Sequence, residues 1–411
     1  MKNAIVAVLS IFLISLSLSA EITEKERTIL KKEIKTELKE EMREELKAEN
    51  NRMNKFLDMF TLHGKAKVKY EYYSREKIDR SGDVTRHRGV YMLKAGFVFR
   101  PHDYFRVGFG LGSGSETPTS ANETMSGNFS SKPIYLDLAY IHVVPYFSWI
   151  NLYLGKFKNP IFTAGKTHMI WDSDVNPEGA AIDLSYRFGI IKLFFNTGIY
   201  VLDEFKAESD DPFLSVTQVG MNLKKSGFQM NIAASYSDAF NMTKKLEQSR
   251  YVYEADYDFS YSNTILADDT YAYDYNVITV DVDFAYTFDK YFKLSLFGQF
   301  AVNTASDVED RFAHIAGIKF SSEKVKKLGD YEFNIRYRNV EKDAYIDAFS
   351  ESSFYYGRTG AWGVDATVKA AIWNNVTLSV CANIDVASNV GEGHVIFEFS
   401  KTRNFEKGFT T

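Results

Sequence analysis

From Thr61 onward the chain alternates apolar and polar residues with a period of two, and that alternation leaves few folds open. Leu62, Gly64, Ala66, Val68, Tyr70 and Tyr72 alternate with His63, Lys65, Lys67, Lys69 and Glu71. A strand built this way turns one face to an apolar medium and the other to water. The pattern returns in Tyr91/Leu93/Ala95/Phe97/Phe99, Phe105/Val107/Phe109/Leu111, Ile134/Leu136/Leu138/Tyr140, Ile191/Leu193/Phe195 and Phe228/Met230/Ile232/Ala234/Tyr236. It continues in Ile278/Val280/Val282/Phe284/Tyr286, Phe292/Leu294/Leu296, Tyr331/Phe333/Ile335/Tyr337, Trp362/Val364/Ala366/Val368 and Val376/Leu378/Val380/Ala382. The hairpin Ile150/Leu152/Leu154 with Ile182/Leu184/Tyr186, and weaker segments near Val216, Ile318 and Phe397, bring the count to about sixteen strands.

The connections alternate as well. Short links such as Pro101-His102-Asp103, Phe188-Gly189, Lys225-Ser226-Gly227 and Asn374-Asn375 take turns with long polar ones. The long ones run from Arg75 to His87, Ser113 to Lys132, Phe157 to Gly179, Ser237 to Asp274 and Val340 to Gly360. Short turns on one rim and long loops on the other are the asymmetry of outer-membrane barrels. Aromatics, 15% of the chain, gather at strand ends such as Tyr104-Phe105, Tyr146-Phe147 and Tyr291-Phe292, where interfacial girdles sit. A soluble β-sandwich also alternates, but its strands average five or six residues and it gives no reason for one-sided loop lengths.

The N-terminus supplies an address. Lys2, an apolar run from Ala4 to Leu18, and small residues at Ser17, Ser19 and Ala20 have the layout of a secretory signal over residues 1–20. No later stretch approaches the length of a spanning apolar helix, so a membrane location requires a barrel. Residues 21–58 form a charged segment, free of Gly and Pro from Glu21 to Asn50, that suits a helix. From Leu30 it repeats every four residues, setting Lys31, Lys35, Lys39, Arg43 and Lys47 in one row and Glu33, Glu37, Glu41, Glu45 and Glu49 in another. Rows of like charge repel within one helix, and neighbouring helices relieve this, so a self-associating coiled coil and a solvated single helix both fit.

The expected fold is therefore all-β: a transmembrane antiparallel up-and-down β-barrel of about 16 strands over residues 59–411, preceded by a short periplasmic α-helix. An even strand number puts both barrel ends on the short-turn rim. The net charge of −5 disfavours nucleic-acid binding. Seven scattered His, one Cys (Cys381) and the lack of a hydrolase elbow or phosphate loop point away from an enzyme, and no cofactor or metal is expected.

Gly155-Lys156-Phe157-Lys158-Asn159-Pro160, followed by Trp171-Asp172-Ser173-Asp174-Val175-Asn176-Pro177-Glu178-Gly179, resembles the signature of the putative porins of Gram-negative bacteria. Tyr70-Glu71-Tyr72, Gly110-Leu111-Gly112-Ser113-Gly114 and Leu136-Asp137-Leu138-Ala139-Tyr140-Ile141 extend the likeness over the mature chain. The resemblance implies a signal peptide, a coiled-coil-like helix, a large diffusion barrel in outer-membrane lipid, and assembly as a homo-oligomer such as a trimer. Two departures stand out: the helical repeat is a tetrad, and the last convincing strand, with Val395, Phe397 and Phe399, is followed by a tail without a terminal aromatic.

Sixteen strands are wide enough to enclose a water-filled lumen, and the expected function is passive diffusion of small hydrophilic solutes or ions. The register turns Lys65, Lys67, Lys69, Lys94, Arg100, Arg106, Arg187, Lys192, Lys293, Arg336, Arg338 and Lys369 inward, against Glu71, Asp137, Asp183, Asp281, Asp283, Glu332, Asp365, Asp385 and Glu398. This small basic excess predicts a weak anion preference. By similarity to sixteen-stranded porins, the third long connection is the candidate constriction, carrying Lys158, Lys166, His168, Trp171, Asp172, Asp174 and Glu178. Its Asp172, Asp174 and Glu178 are placed to face Arg106, Arg187 and Lys94. The same residue types also build turns, with Trp171 packed on the loop base, so both readings stay open. Gly108, Gly110, Gly112 and Gly114 read as an inner strand giving room to a loop. The alternative role is a plugged outer-membrane tether or adhesin, its helix reaching a periplasmic partner.

Overall fold

The computed structural model describes residues 24–76, 83–114, 117–147, 149–206, 210–242, 262–266, 270–388 and 393–408. The signal-like segment and the connection at 243–261 lie outside the described residues. The chain divides into two units. The first carries helix α1, Glu24–Leu57, of 34 residues. It runs on through Asn50-Asn51, where the tetrad stops, because Arg52, Met53 and Lys55 are helix formers and no Gly or Pro interrupts them. Ile29, Leu38, Met42 and Leu46 are exposed along it.

The second unit, Phe60–Gly408, is a closed antiparallel barrel of sixteen strands with one two-residue addition. The strands are β1 (Phe60–Glu76), β2 (Asp83–His102), β3 (Phe105–Gly112), the short β4 (Glu123–Thr124), β5 (Tyr135–Val143) and β6 (Ile150–Lys156). There follow β7 (Glu178–Phe188), β8 (Ile191–Val201), β9 (Phe213–Lys225), β10 (Phe228–Phe240), β11 (Tyr275–Thr287) and β12 (Lys293–Asn303). The last five are β13 (Phe312–Ser321), β14 (Tyr331–Val340), β15 (Ala361–Trp373), β16 (Val376–Ala387) and β17 (Gly393–Gly408). Apart from the short β4, which lies beside β2, each strand pairs with the next in sequence, β3 with β5, and β1 pairs with β17 to close the ring. Thr61 opposes Gly408, so both ends of the barrel chain lie on the short-turn rim.

Polarity is inverted relative to a protein folded in water. Val68, Leu93, Ile199, Val219, Leu296, Val368 and Ile384 are exposed, while Lys69, Asn196, Gln218, Asp281, Arg338 and Asp385 are buried inside. In water each such exposed side chain forgoes roughly 1.5–3 kcal/mol of burial, and contact with lipid removes that deficit. Tyr104, Tyr146, Phe147, Trp149, Phe288, Tyr291 and Trp373, all exposed, ring the short-turn rim as expected of a girdle.

Two strands differ from the expected pattern. In β5 the register slips against β3: Gly110 opposes Leu138 and Leu111 opposes Leu136, leaving Asp137 as the extra residue of a β-bulge. Beyond the bulge the faces swap, so Leu138 and Tyr140 point inward and Ile141 points out. The room left by the β3 glycines is thus filled by the neighbouring strand. A Cβ on Gly108 would lie 2.1 Å from the Tyr140 ring, and one on Gly110 3.3 Å from Leu138. The closing strand β17 does not end near Phe399 but continues to Gly408, because its ladder with β1 runs the whole way.

Candidate functional site

β6 and β7 part at an opposed pair of glycines, Gly155 and Gly179, with φ of +108° and +151°. A Cβ at Gly155 would lie 2.3 Å from the Ala139 carbonyl oxygen, and one at Gly179 2.1 Å from that of Ile199. Only glycine fits both the conformation and the approach. Just beyond, the Phe157 N–H donates to the Pro177 carbonyl at 3.1 Å and closes the neck of the connection 157–177.

This connection crosses the barrel interior, and inward polar side chains hold it by its backbone. Asn196 Nδ2 donates to the Pro160 carbonyl at 3.2 Å, and Gln218 exchanges two bonds with Phe162, each 2.9 Å long. The Ala164 N–H donates to Asp281 at 2.8 Å, the Gly165 N–H to Asp283 at 3.4 Å, and the Thr167 hydroxyl to Gln299 at 3.3 Å. Arg336 donates to the Thr167 carbonyl at 3.0 Å. The wall thus satisfies backbone groups that have no ladder partner. Lys166 and His168 hold positive φ values of 57° and 56°, a cost of about 1–2 kcal/mol per residue that these tethers sustain. Phe157 and Met169 are fully buried, and Trp171 stacks on Phe349 with ring centroids 5.4 Å apart.

Phe349 belongs to a second inward connection, 341–360, whose lumenal position was not read from the sequence. The Asp172 N–H donates to the Phe349 carbonyl at 2.7 Å, and the Ser352 N–H donates to the Asp172 carboxylate at 2.9 Å, so the two connections brace each other. The anchor is ionic. Arg336 pairs with Asp365 at 2.6 Å and Glu351 at 3.2 Å, and Arg338 pairs with the same two carboxylates while lying 4.2 Å above the Phe354 ring. Burial alone would push the Glu351 carboxyl up, but the guanidiniums of Arg336 and Arg338 hold it well below the usual range. The legible signal was present: two inward arginines on β14 run directly into a connection containing Glu351.

The basic wall residues sort into three groups. Lys94 bridges Asp137 at 2.9 Å and Asp174 at 3.1 Å, and Lys65 opposes Lys94 in register. Lys158 and Lys369 both act electrostatically on this neighbourhood through Lys65. Lys69 is taken up by Glu71 and by Glu398, the latter at 2.8 Å, and Glu71 also binds Arg88, a partner the sequence reading had not included. A third group, Arg100, Arg106, Asp183, Arg187 and Lys192, sits toward the short-turn rim, where Arg106 approaches His142 at 3.4 Å and Arg187 opposes Lys192.

Of the three carboxylates expected to face basic wall residues, only Asp174 does so. Glu178 follows the outward parity of Lys156 and pairs with it at 2.6 Å outside the lumen. Asp172 meets neither Arg106 nor Arg187: its carboxylate accepts the Asp174 and Ser352 N–H groups. Burial pushes its pKa up to about 7, opposed in part by those two bonds. Asp174 goes the other way: burial raises it, but the Lys94 ammonium brings it below the usual range.

Cavities lie on both sides of the 157–177 connection. One of about 570 Å³, toward the long loops, is lined by Lys67, Lys69, Arg88, His168, Asp172 and Glu351 among others. One of about 560 Å³, toward the short turns, is lined by Lys166, Asp283, Lys293, Lys319 and Glu332 among others. Since Asp172 lines the first cavity, its ionisation contributes to lumen charge in the neutral range. Below a pH of about 7 the carboxyl is neutral, and above it the lumen gains one negative charge. Acidifying from pH 8 to 6 is expected to shift the reversal potential toward anions, and Asp172→Asn to diminish that shift.

A family model described as "putative porin" matches residues 101–269 and 268–383. No curated protein matches the chain. Among solved structures, the high-pH structure of Pseudomonas putida OprB aligns with a TM-score of 0.53 at 11% identity, covering 84% of this chain and 94% of that one. The outer membrane channel DcaP of Acinetobacter baumannii aligns with a TM-score of 0.48 at 11% identity, covering 84% and 97%. A mutant Rh. blastica porin aligns with a TM-score of 0.42 at 10% identity, covering 84% and 100%. At such identities the likeness speaks to fold alone, and the first alignment supports the closed porin-type barrel.

Proposed function

The chain belongs to the putative porin family, and from that premise we propose that it is an outer-membrane channel for passive diffusion of small hydrophilic solutes and ions. The observation that carries this reading is a polar interior holding two tethered connections, with cavities on both sides of the one at 157–177, inside a wall whose outer face is apolar. Solutes pass between that connection and the wall of β1 and β2, where Lys65, Lys67, Lys94 and Lys158 stand opposite Asp174 and Asp137. This stretch is the constriction. Lys166 and His168 serve the two vestibules, and Trp171 fixes the loop on Phe349. The basic excess gives a weak preference for anions.

Because β1 starts at the short-turn rim, we assign α1 to the periplasm, where its charge rows favour association with copies of itself, as in a trimer. Proteoliposome swelling tests the diffusion reading. Rates that fall smoothly with solute size among sugars and amino acids are expected. A folded barrel that admits none of them would favour the tether instead.

A further inference from the structure

We propose that Lys65, Lys67 and Lys158, with Lys94 beside them, form a binding site for small divalent anions in the lumen. The inference rests on the channel reading and deepens it by naming the solute class. Strand β1 sets Lys65, Lys67 and Lys69 on one face, roughly 7 Å apart along the strand. Their fates differ. Lys69 is neutralised by Glu71 and Glu398, and Lys94 by Asp137 and Asp174. Among the described residues, no carboxylate stands within ion-pair distance of Lys65, Lys67 or Lys158.

These groups nevertheless stand close enough to act on one another. Lys158 feels the charges of Lys94 and Lys65, and Lys67 those of Lys69 and Lys65. Lys158 reaches water, although protein packed around it and the charge of Lys94 hold its ammonium below the ordinary lysine range. Four ammonium groups, those of Lys65, Lys67, Lys94 and Lys158, thus face two carboxylates, those of Asp137 and Asp174. A solute carrying two negative charges balances this set, whereas chloride leaves half of the excess. Unpaired, mutually repelling lysines facing the lumen hold such a solute long enough to slow smaller ions behind it. The spacing along β1 suits either a compact oxyanion bridging neighbouring lysines or a short dicarboxylate reaching between them.

The full-length protein in planar bilayers, carrying a chloride current at fixed ionic strength, is titrated with sodium sulfate or sodium succinate. Saturable block of the chloride current by at least one of the two is expected, and the more potent marks the compact or the extended dianion. In the Lys65→Gln/Lys67→Gln variant the half-blocking concentration is expected to rise about tenfold, while Lys326→Gln, on an exposed short turn, leaves it unchanged. Chloride steps without saturable block by either dianion would overturn the site and leave the channel reading standing. Block unchanged in the double variant would overturn its assignment to these lysines. Absence of chloride steps from the folded wild-type barrel would overturn the channel reading, and the site with it.

Discussion

Replacing residues 158–176 with a short Asn-Gly-type turn is expected to raise single-channel conductance about threefold and to let larger solutes through, with the barrel still folded. Geometry makes the excision clean. Phe157 and Pro177 already share a hydrogen bond, and Lys156 opposes Glu178, so the ends to be joined lie side by side as in a hairpin. The segment removed carries no barrel ladder, since its bonds to the wall run to side chains of β8, β9, β11, β12 and β14. Asn196, Gln218, Asp281 and Gln299 lose those partners but face water once the lumen opens, so the penalty for a buried unpaired group does not arise. The connection 341–360 stays anchored, because Glu351 and Asp365 keep Arg336 and Arg338. Conductance of the excised variant against wild type, each checked for heat-modifiable mobility, measures the effect. Unchanged conductance would mean that ions take a path this connection does not narrow.

Reversing two charges on β1 is expected to invert selectivity. In Lys65→Glu/Lys67→Glu the local set of four ammonium groups facing two carboxylates becomes two facing four, and the preference turns from anions to cations. At the reduced dielectric of a lined pore, a unit charge within about 7 Å of a passing ion is worth about 2 kcal/mol, enough to change a permeability ratio tenfold or more. Both positions are half-buried and lumenal and already carry a charged side chain, so a carboxylate replaces a charge that the fold accommodates. Reversal potential under a potassium chloride gradient reads the result directly. An unaltered sign would place the selective charges elsewhere, for instance in the group of Arg100, Arg106, Arg187 and Lys192.

Much of this barrel was legible because its selection rule is binary. Lipid on one side and water on the other enforce alternation at every strand, so Val68 and Lys69, or Val280 and Asp281, announce their faces without knowledge of any partner. The rule failed where geometry depends on a neighbour. Leu138 and Tyr140 keep an apolar alternation on paper, and only the bulge at Asp137 and the empty volume over Gly108 and Gly110 turn them inward. Glu178 sat inside a recognisable loop motif, yet strand β7 begins at that residue, and pairing with Lys156 sends it outward.

The site was legible in part for the same reason. Lysines on β1 follow from parity, and so does Lys94. Which carboxylate meets which lysine depends on how a loop of twenty-one residues, 157–177, folds across the interior, and local sequence does not encode that path. Asp172 and Asp174 look equivalent in the sequence. One turns to Lys94, and the other is consumed by the N–H groups of Asp174 and Ser352, which joins it to a connection almost two hundred positions away.

The most direct measurement is single-channel conductance of the purified, folded, full-length protein in a planar bilayer, followed by reversal potential under a salt gradient. Stable ohmic steps with a reversal potential on the anion side are expected. A heat-modifiable barrel that inserts and stays silent would contradict the channel, and would leave a plugged outer-membrane tether as the role of this fold.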